Sequence, residues 1–463
     1  MKNHLLLINP WIYDFSAFDL WLKPLGLLYL ASHLRQHGYT VHLIDCLDRY
    51  NPELLKRQRR TSPNVRAYGV GKFFRERLPK PDIFKHIPMS YCRYGIPEDI
   101  FLSMLETMPE PSAILVTSMM TYWYPGVFRA IELTKQRFPN VPILLGGVYA
   151  TLCYQHAQAH SHAGYVAQEH DPAKILQLVN DLTGKPHSYS SQEGTASKMP
   201  ALQIFDTYPA FDLYNHLEYV CLLTSIGCPY RCTYCASHLL NPHFVQRPPE
   251  EVFQELLYYS EQMGIRNFAL YDDALLVRST SHLEPFLQQV IDANLACTFH
   301  TPNGLHARYI TEQVADLMFK SGFKTIRLSL ETIDHTRQQQ TGGKVTEEEF
   351  THAVSILKQA GFQRTQIGVY FFIGLPGQSI EETKETIRYV HSLGVNAHLC
   401  EYSPILGTQD WPLLEQQGYV SADDDPLQHN NSIFIFQNDR IQFDQMQELK
   451  DWVRALNADI RVS

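Results

Sequence analysis

Short apolar runs alternate with longer amphipathic stretches along most of this chain, the pattern of strands alternating with helices. The run His4 to Ile8 predicts a strand, the segment opened by Pro24 and closed near Gly38 a helix, and Thr40 to Asp45 a second strand. The alternation resumes with a strand at Ala113 to Ser118, a helix after Pro125, a strand from Pro142 to Leu145 ending in Gly146-Gly147, and a helical stretch near Pro172 to Leu182. Units of this kind build an open, doubly wound (Rossmann-like) parallel sheet in an α/β fold. Such sheets bind ligands at the carboxyl ends of their strands, where Asn9, Pro10, Asp45, Ser118, Gly146 and Gly147 fall.

From about Gly184 to Lys198 the chain turns polar and rich in Ser, Gly and His, which marks a domain boundary. A second α/β run follows. Strands are expected near Tyr219 to Thr224, Asn267 to Tyr271, Ala296 to His300, Thr325 to Leu330, Ile367 to Phe372 and Ala397 to Glu401. Six such steps predict a partial (β/α)6 TIM-like barrel, followed by a helical tail that includes Gln442 to Leu456. The expected division is a doubly wound domain over 1–183, interrupted by an insertion over 51–95; a linker over 184–210; the partial barrel over 211–408; and a C-terminal extension over 409–463. No solenoid-type repeat is visible.

A length of 463 residues with 44% hydrophobic content fits two or three soluble domains. No apolar run approaches the ~20 residues of a membrane span. Leu5-Leu6-Leu7-Ile8 leads into Asn9-Pro10-Trp11 without a small-residue cleavage site, so no signal peptide is expected. Nine cysteines, three of them clustered, do not resemble a secreted disulfide framework, and a reducing, cytoplasmic setting is expected. The net charge of −9 gives no reason to expect nucleic acid as a partner. Within 51–95, however, Lys56, Arg57, Arg59, Arg60, Arg66, Lys72, Arg75, Arg77, Lys80, Lys85 and Arg93 face only Glu53, Glu76 and Asp82. That stretch reads either as a salt-bridging, solvated face or as a surface that contacts an anion.

The strongest chemical signal is Gly227-Cys228-Pro229-Tyr230-Arg231-Cys232-Thr233-Tyr234-Cys235, which puts three thiolates in one loop after the first strand of the second domain. Thiolates are standard ligands of iron–sulfur clusters, and three in place of four leave one iron open for another molecule. The competing reading is a Cys3His zinc site completed by His238, but the usual distant second ligand pair is missing. Cys46, Cys92, Cys153, Cys221, Cys297 and Cys400 read as buried small hydrophobes.

This CxxxCxxC, with an aromatic before its last cysteine, resembles the signature of the radical S-adenosylmethionine (radical SAM) superfamily. The resemblance implies that Cys228, Cys232 and Cys235 ligate a 4Fe-4S cluster whose free iron chelates S-adenosylmethionine (SAM) and cleaves it to a 5′-deoxyadenosyl radical. Tyr234 then matches the aromatic beside the nucleoside. Tyr271-Asp272-Asp273 falls where relatives receive the methionine amino group, although their Gly-Gly-Glu is absent; a helix N-cap is the competing reading. Thr301-Pro302-Asn303-Gly304 and Arg327-Leu328-Ser329-Leu330-Glu331 resemble segments that bind ribose and carboxylate. SAM contacts are thus implied for Asn303, Arg327, Ser329 and Glu331, against a structural ion pair of Arg327 with Glu331. Gly374-Leu375-Pro376-Gly377 resembles the adenine-side turn, against an ordinary strand-to-helix loop. An external electron donor such as flavodoxin or ferredoxin is also implied.

Val116 to Thr121 and Leu144 to Thr151 resemble the cobalamin-binding domain that precedes the barrel in one radical SAM subfamily, and Ser403-Pro404-Ile405-Leu406-Gly407-Thr408 follows the sixth strand as in that subfamily. Asn9, Pro10, Asp45, Ser118, Gly146 and Gly147 are then the candidate cobalamin residues. The chain has no Asp-x-His-x-x-Gly sequence, so a histidine lower ligand is not implied, and a relic domain is the competing reading. The resemblance points to methyl transfer from cobalamin to an unactivated carbon or phosphorus centre of a small-molecule, lipid-like or natural-product substrate. The alternatives are a radical rearrangement or cyclisation without net methylation and, in a different class, a metal-stabilised protein that binds an anionic polymer. Tyr122, Trp123 and Tyr124 read as a cover for the corrin or as core. The insertion and tail are expected to shape the substrate pocket, and no residue stands out for proton handling.

Overall fold

Leu5, Leu6, Leu7 and Ile8 are fully buried because their strand, His4–Asn9, is covered on both faces, as a near-continuous apolar run in a parallel sheet requires. In the computed structural model, which describes residues 3–168, 170–185, 203–436 and 441–462, that strand lies inside a five-stranded sheet, second in its order. The spatial order is Thr40–Asp45, His4–Asn9, Ala113–Val116, Ile143–Leu145, Tyr165–Val166, all parallel. The winding reverses between His4–Asn9 and Ala113–Val116, and a crevice for ligands opens at such a switch point. Helix Leu25–Gln36 buries Leu27, Ala31 and Leu34 against Leu5 and Leu7, and helix Pro172–Thr183 adds Ile175 and Val179. The side chain of Asp171 caps the latter helix and Gly184, at φ 68°, ends it. Of the expected linker over 184–210, residues 186–202 lie outside the described residues.

The insertion is a folded element. Cys92–Tyr94 pairs antiparallel with both Ile12–Asp14 and Arg75–Arg77, and Phe73, Phe84, Ile87, Tyr91 and Tyr94 are buried around it. Several of its cations are paired: Arg57 with Asp99, Arg93 with Glu76 and Glu98, and Lys85 with Asp82 at 2.8 Å. Tyr122 and Tyr124 are buried, while the Trp123 indole donates to Asp14 at 2.7 Å.

Six parallel strands run in sequence order through the second sheet: Tyr219–Leu222, Asn267–Leu270, Thr298–His300, Phe323–Glu331, Ile367–Ile373 and Asn396–Glu401. Helices Pro249–Gln262, Leu283–Asp292, Glu312–Ser321, Glu347–Gln359 and Ile380–Ser392 connect them, which makes an open partial barrel. In the fifth strand Ile367, Val369, Phe371 and Ile373 are buried, whereas Tyr370 and Phe372 keep partial exposure. The outer face is covered by helices and the inner one reaches solvent, so the barrel is not packed solid. At the sixth strand the Asn457 amide, on helix Phe443–Val462, accepts from the Ala397 N–H at 2.8 Å and donates to the Ala397 carbonyl at 2.9 Å, capping an open sheet edge.

The chain divides into two compact units, Met1–Leu217 and Glu218–Ser463. No helix among the described residues is long and apolar enough to cross a membrane. In the second unit Arg247 and Glu255 form a fully buried pair, and Arg247 also donates to the Leu223 carbonyl at 2.8 Å. Arg247→Met strands a buried carboxylate and is expected to cost about 3–5 kcal/mol in urea denaturation, with most of the loss recovered by adding Glu255→Gln. An unchanged midpoint in the single variant would contradict this role.

Candidate active site

The cysteine loop begins where the first barrel strand ends. Gly227 stands at φ 75°, and a side chain there would meet the His243 carbonyl at 2.4 Å, so only glycine fits. Bonds from three directions then fix the loop. The Asp272 carboxylate accepts from the Thr224 N–H at 3.1 Å, from the Thr224 hydroxyl at 2.7 Å and from the Ser225 hydroxyl at 2.5 Å. The Asp410 N–H donates to the Thr233 carbonyl at 3.0 Å, and the Thr233 N–H to the Thr341 carbonyl at 3.4 Å. Asp272 therefore anchors the strand that feeds the cysteines. Asn303 holds the same region by donating to the Tyr271 carbonyl at 2.8 Å.

Cys232 is buried, and Cys228 and Cys235 are half-buried. Burial pushes all three thiols up, that of Cys235 to about 11. Metal coordination takes thiolates, so binding a metal here releases protons. Cys235 Sγ accepts from the Ser237 N–H at 3.4 Å, and the Ser237 hydroxyl donates to Asp273. Among the described residues no three His, Cys, Asp or Glu side chains close on one metal ion. A tetrahedral zinc ion draws its thiolates to about 3.8 Å from each other, whereas a cubane spreads three thiolates over three irons. Three thiolates on one loop are the donor set of a cluster that leaves one iron open.

Beside the thiols lies a residue that the sequence reading passed over. Lys344 is largely shielded from solvent, its side chain 14% exposed, and pairs with Glu331 Oε1 at 3.0 Å. Burial works to lower its ammonium, but Glu331, Cys232 and Cys235 together hold it above its ordinary value. Two glycines bring it there. Gly342 stands at φ 124°, with its missing side chain 3.3 Å from Cys232 Cα, and Gly343 at φ 59° has its carbonyl held by Arg308 at 2.7 Å. Glu331, at φ 69°, follows a register shift in the fourth strand that turns its side chain toward Lys344 and the Tyr234 phenol. Burial, reinforced by Glu331 and Cys232, pushes that phenol well up, and the Tyr234 ring packs on Phe372 at 4.8 Å. The competing reading, an Arg327–Glu331 ion pair, is not what the described residues form, because Glu331 pairs with Lys344.

Ser329 is buried, with its hydroxyl where a Gly304 side chain would be, 2.0 Å away. Gly374 stands at φ 89° against Ile435. Tyr230, within the cysteine loop, stacks on the buried His306 ring at 4.6 Å and shares a short hydroxyl hydrogen bond with Tyr309.

A family model, the radical SAM superfamily, matches residues 222–390, which span this loop, the Lys344 turn and the second to fifth barrel strands. This chain carries a radical SAM domain. That domain implies a 4Fe-4S cluster and SAM as cofactors and radical SAM enzyme chemistry. Around the radical SAM domain the likeness extends to most of the chain. Cytidylyl-2-hydroxyethylphosphonate methyltransferase of Streptomyces wedmorensis is 20% identical over 87% of this chain and 79% of its own length. The radical SAM methyltransferase TsrM of Kitasatospora setae, solved with tryptophan and a SAM analogue and again with cobalamin and a [4Fe-4S] cluster, shares the fold at a TM-score of 0.63 and 14% identity, over 90% of this chain and 77% of TsrM in the first of these structures. The cobalamin-dependent radical enzyme OxsB shares it at a TM-score of 0.62 and 12% identity, over 92% of this chain and 63% of OxsB.

In the first unit, Asn9, Pro10, Asp45, Ser118, Gly146 and Gly147 all lie at the carboxyl edge of the sheet. Their polar groups largely serve each other. Asp45 accepts from Asn9 at 2.6 Å, from the Leu47 N–H at 2.8 Å and from the Tyr214 hydroxyl at 2.6 Å, and Ser118 donates to the Gly146 carbonyl at 2.7 Å. Gly147, at φ 91°, would place a side chain 2.4 Å from the Ser118 carbonyl, whereas Gly146 opens on free space. The edge thus offers backbone and an open face, which suits a broad ligand more than a small ion.

Proposed function

We propose that this chain is a cobalamin-dependent radical SAM methyltransferase acting on a carbon or phosphorus centre of a small organic molecule. The observation that carries the reading is the three-thiol loop at the barrel mouth, closed on one side by the Lys344–Glu331 pair and Tyr234. Likeness on both sides of the unit boundary adds the second cofactor, since TsrM was solved with cobalamin and the Streptomyces relative is named for a phosphonate. When bound, the cluster and SAM supply a carbon radical and cobalamin supplies a methyl carrier.

In this reading Cys228, Cys232 and Cys235 hold the cluster, and Lys344 offers a cation to the methionine carboxylate. Glu331, Ser329, Asn303 and Asp273 line the ribose and methionine side, and Tyr234 and Gly374 the adenine side. Asp272 positions the cysteine strand. Asn9, Pro10, Asp45, Ser118, Gly146 and Gly147 form the cobalamin edge. A flavodoxin- or ferredoxin-type donor reduces the cluster, and a chain with nine free cysteines works in the reducing cytoplasm.

The test is turnover of SAM by protein reconstituted anaerobically with and without cobalamin, in the presence of a reductant and candidate acceptors. Both 5′-deoxyadenosine and S-adenosylhomocysteine are expected, the latter only with cobalamin. Formation of 5′-deoxyadenosine alone, with or without cobalamin, would replace methylation with a rearrangement or cyclisation.

A further inference from the structure

We propose that Arg327, with Tyr370 and His398, forms a subsite inside the barrel for an oxyanion group of the methyl acceptor, a carboxylate, phosphate or phosphonate. The proposal rests on the methyl-acceptor reading above, but it concerns a different part of the barrel from the thiol loop. Arg327 lies four residues before Glu331 on the same strand, roughly 13 Å along it from the mouth. Its flanking residues Ile326 and Leu328 are buried on the outer face, so Arg327 projects to the inner one, as Tyr370 does from the next strand.

The Arg327 guanidinium has no acidic partner among the described residues. Its Nη1 donates to the Ile326 carbonyl at 3.2 Å, and the guanidinium bonds the Tyr370 hydroxyl. The nearby Glu331 carboxylate is taken by Lys344. His300 and His398 flank the guanidinium, and burial first, then Arg327, holds both imidazoles down near 3, so they are neutral and supply no counter-charge. His398 Nε2 is buried and has no hydrogen-bond partner among the described residues. Gly368 makes room for the arrangement: a side chain there would sit 2.7 Å from both Arg327 Nη1 and His398 Nε2.

A partly buried cation without a counter-ion and a buried imidazole nitrogen without a partner are each unfavourable. Here they share the inner wall of the barrel, on which Arg327, Tyr370 and His398 are each partly exposed. An oxyanion relieves both, since a guanidinium fork takes two oxygens side by side and a neutral imidazole protonated at Nε2 donates to one of them. A SAM molecule bound at the mouth already has Lys344 for its carboxylate, which leaves Arg327 for the molecule that reacts with it.

The test is calorimetric titration of methylphosphonate and of acetate into the full chain reconstituted with its cluster and saturated with SAM. Wild type is expected to bind at least one of them, and the tighter of the two indicates whether the natural group is phospho or carboxylate. Arg327→Met is expected to weaken that binding about 10- to 100-fold, and Arg327→Lys by less. Gly368→Ala, which displaces the guanidinium, is expected to weaken it as well and keeps the test open if Arg327→Met does not fold. SAM affinity is expected to change less than about threefold in each variant. Absence of anion binding in wild type, equal binding in the variants, or a loss of SAM affinity matching the loss of anion affinity would each overturn the proposal. Cobalamin-dependent S-adenosylhomocysteine formation, measured separately, shows whether the methyltransferase reading itself has failed.

Discussion

Replacing Cys228, Cys232 and Cys235 together with Ala is expected to remove the cluster iron and to reduce SAM cleavage to the level of a protein-free control, while the far-ultraviolet circular dichroism stays that of the native chain. The expectation of an intact fold comes from the bonds that hold the loop without its thiols. Asp272 grips Thr224 and Ser225, and the Thr233 backbone bonds to Thr341 and Asp410. Each single cysteine variant is expected to behave almost as the triple one, because two thiolates hold a cubane poorly. Iron retained at the wild-type level in the triple variant would show that the cluster ligands lie elsewhere.

The second large effect is expected at Lys344. Lys344→Met leaves the Glu331 carboxylate buried beside the Tyr234 phenol without a cation, and breaking a buried pair in this way costs about 3–5 kcal/mol. Lys344 also favours the ionised form of Cys232, so its loss is expected to move iron loading to higher pH. Adding Glu331→Gln should recover most of the urea midpoint without recovering SAM affinity, because the cation that faces the methionine carboxylate is still missing. Full recovery of SAM affinity in the double variant would make the pair purely structural.

Much of the layout was legible because its signals are local. Strand-length apolar runs separated by helix-length amphipathic stretches gave six barrel strands in order, and three cysteines within one loop gave the chemistry. What escaped was non-local. Lys344 stands more than a hundred positions from the cysteines, and its only signal was the Thr341-Gly342-Gly343-Lys344 turn, whose glycines are required by positive φ and by the close approach to Cys232. The antiparallel sheet of the insertion pairs Ile12–Asp14 with Cys92–Tyr94, three-residue pieces too short to show a period and too far apart to show a hairpin. Asp272 was read as either a cofactor contact or a helix cap, and its place is a third one, under the strand that carries the cysteines. Glu331 and Arg327 were both read as cofactor contacts, with an ion pair between them as the competing reading, because a charged residue on an apolar strand needs a partner. The register shift at Ser329 and Glu331 gives the glutamate to Lys344, and Arg327 has no acidic partner among the described residues.

The most direct test of the whole account is the iron, sulfide and cobalt content of the chain purified anaerobically from cells supplied with cobalamin. About four irons, about four sulfides and about one cobalt per chain are predicted. Zinc in place of iron, with no acid-labile sulfide, would contradict it.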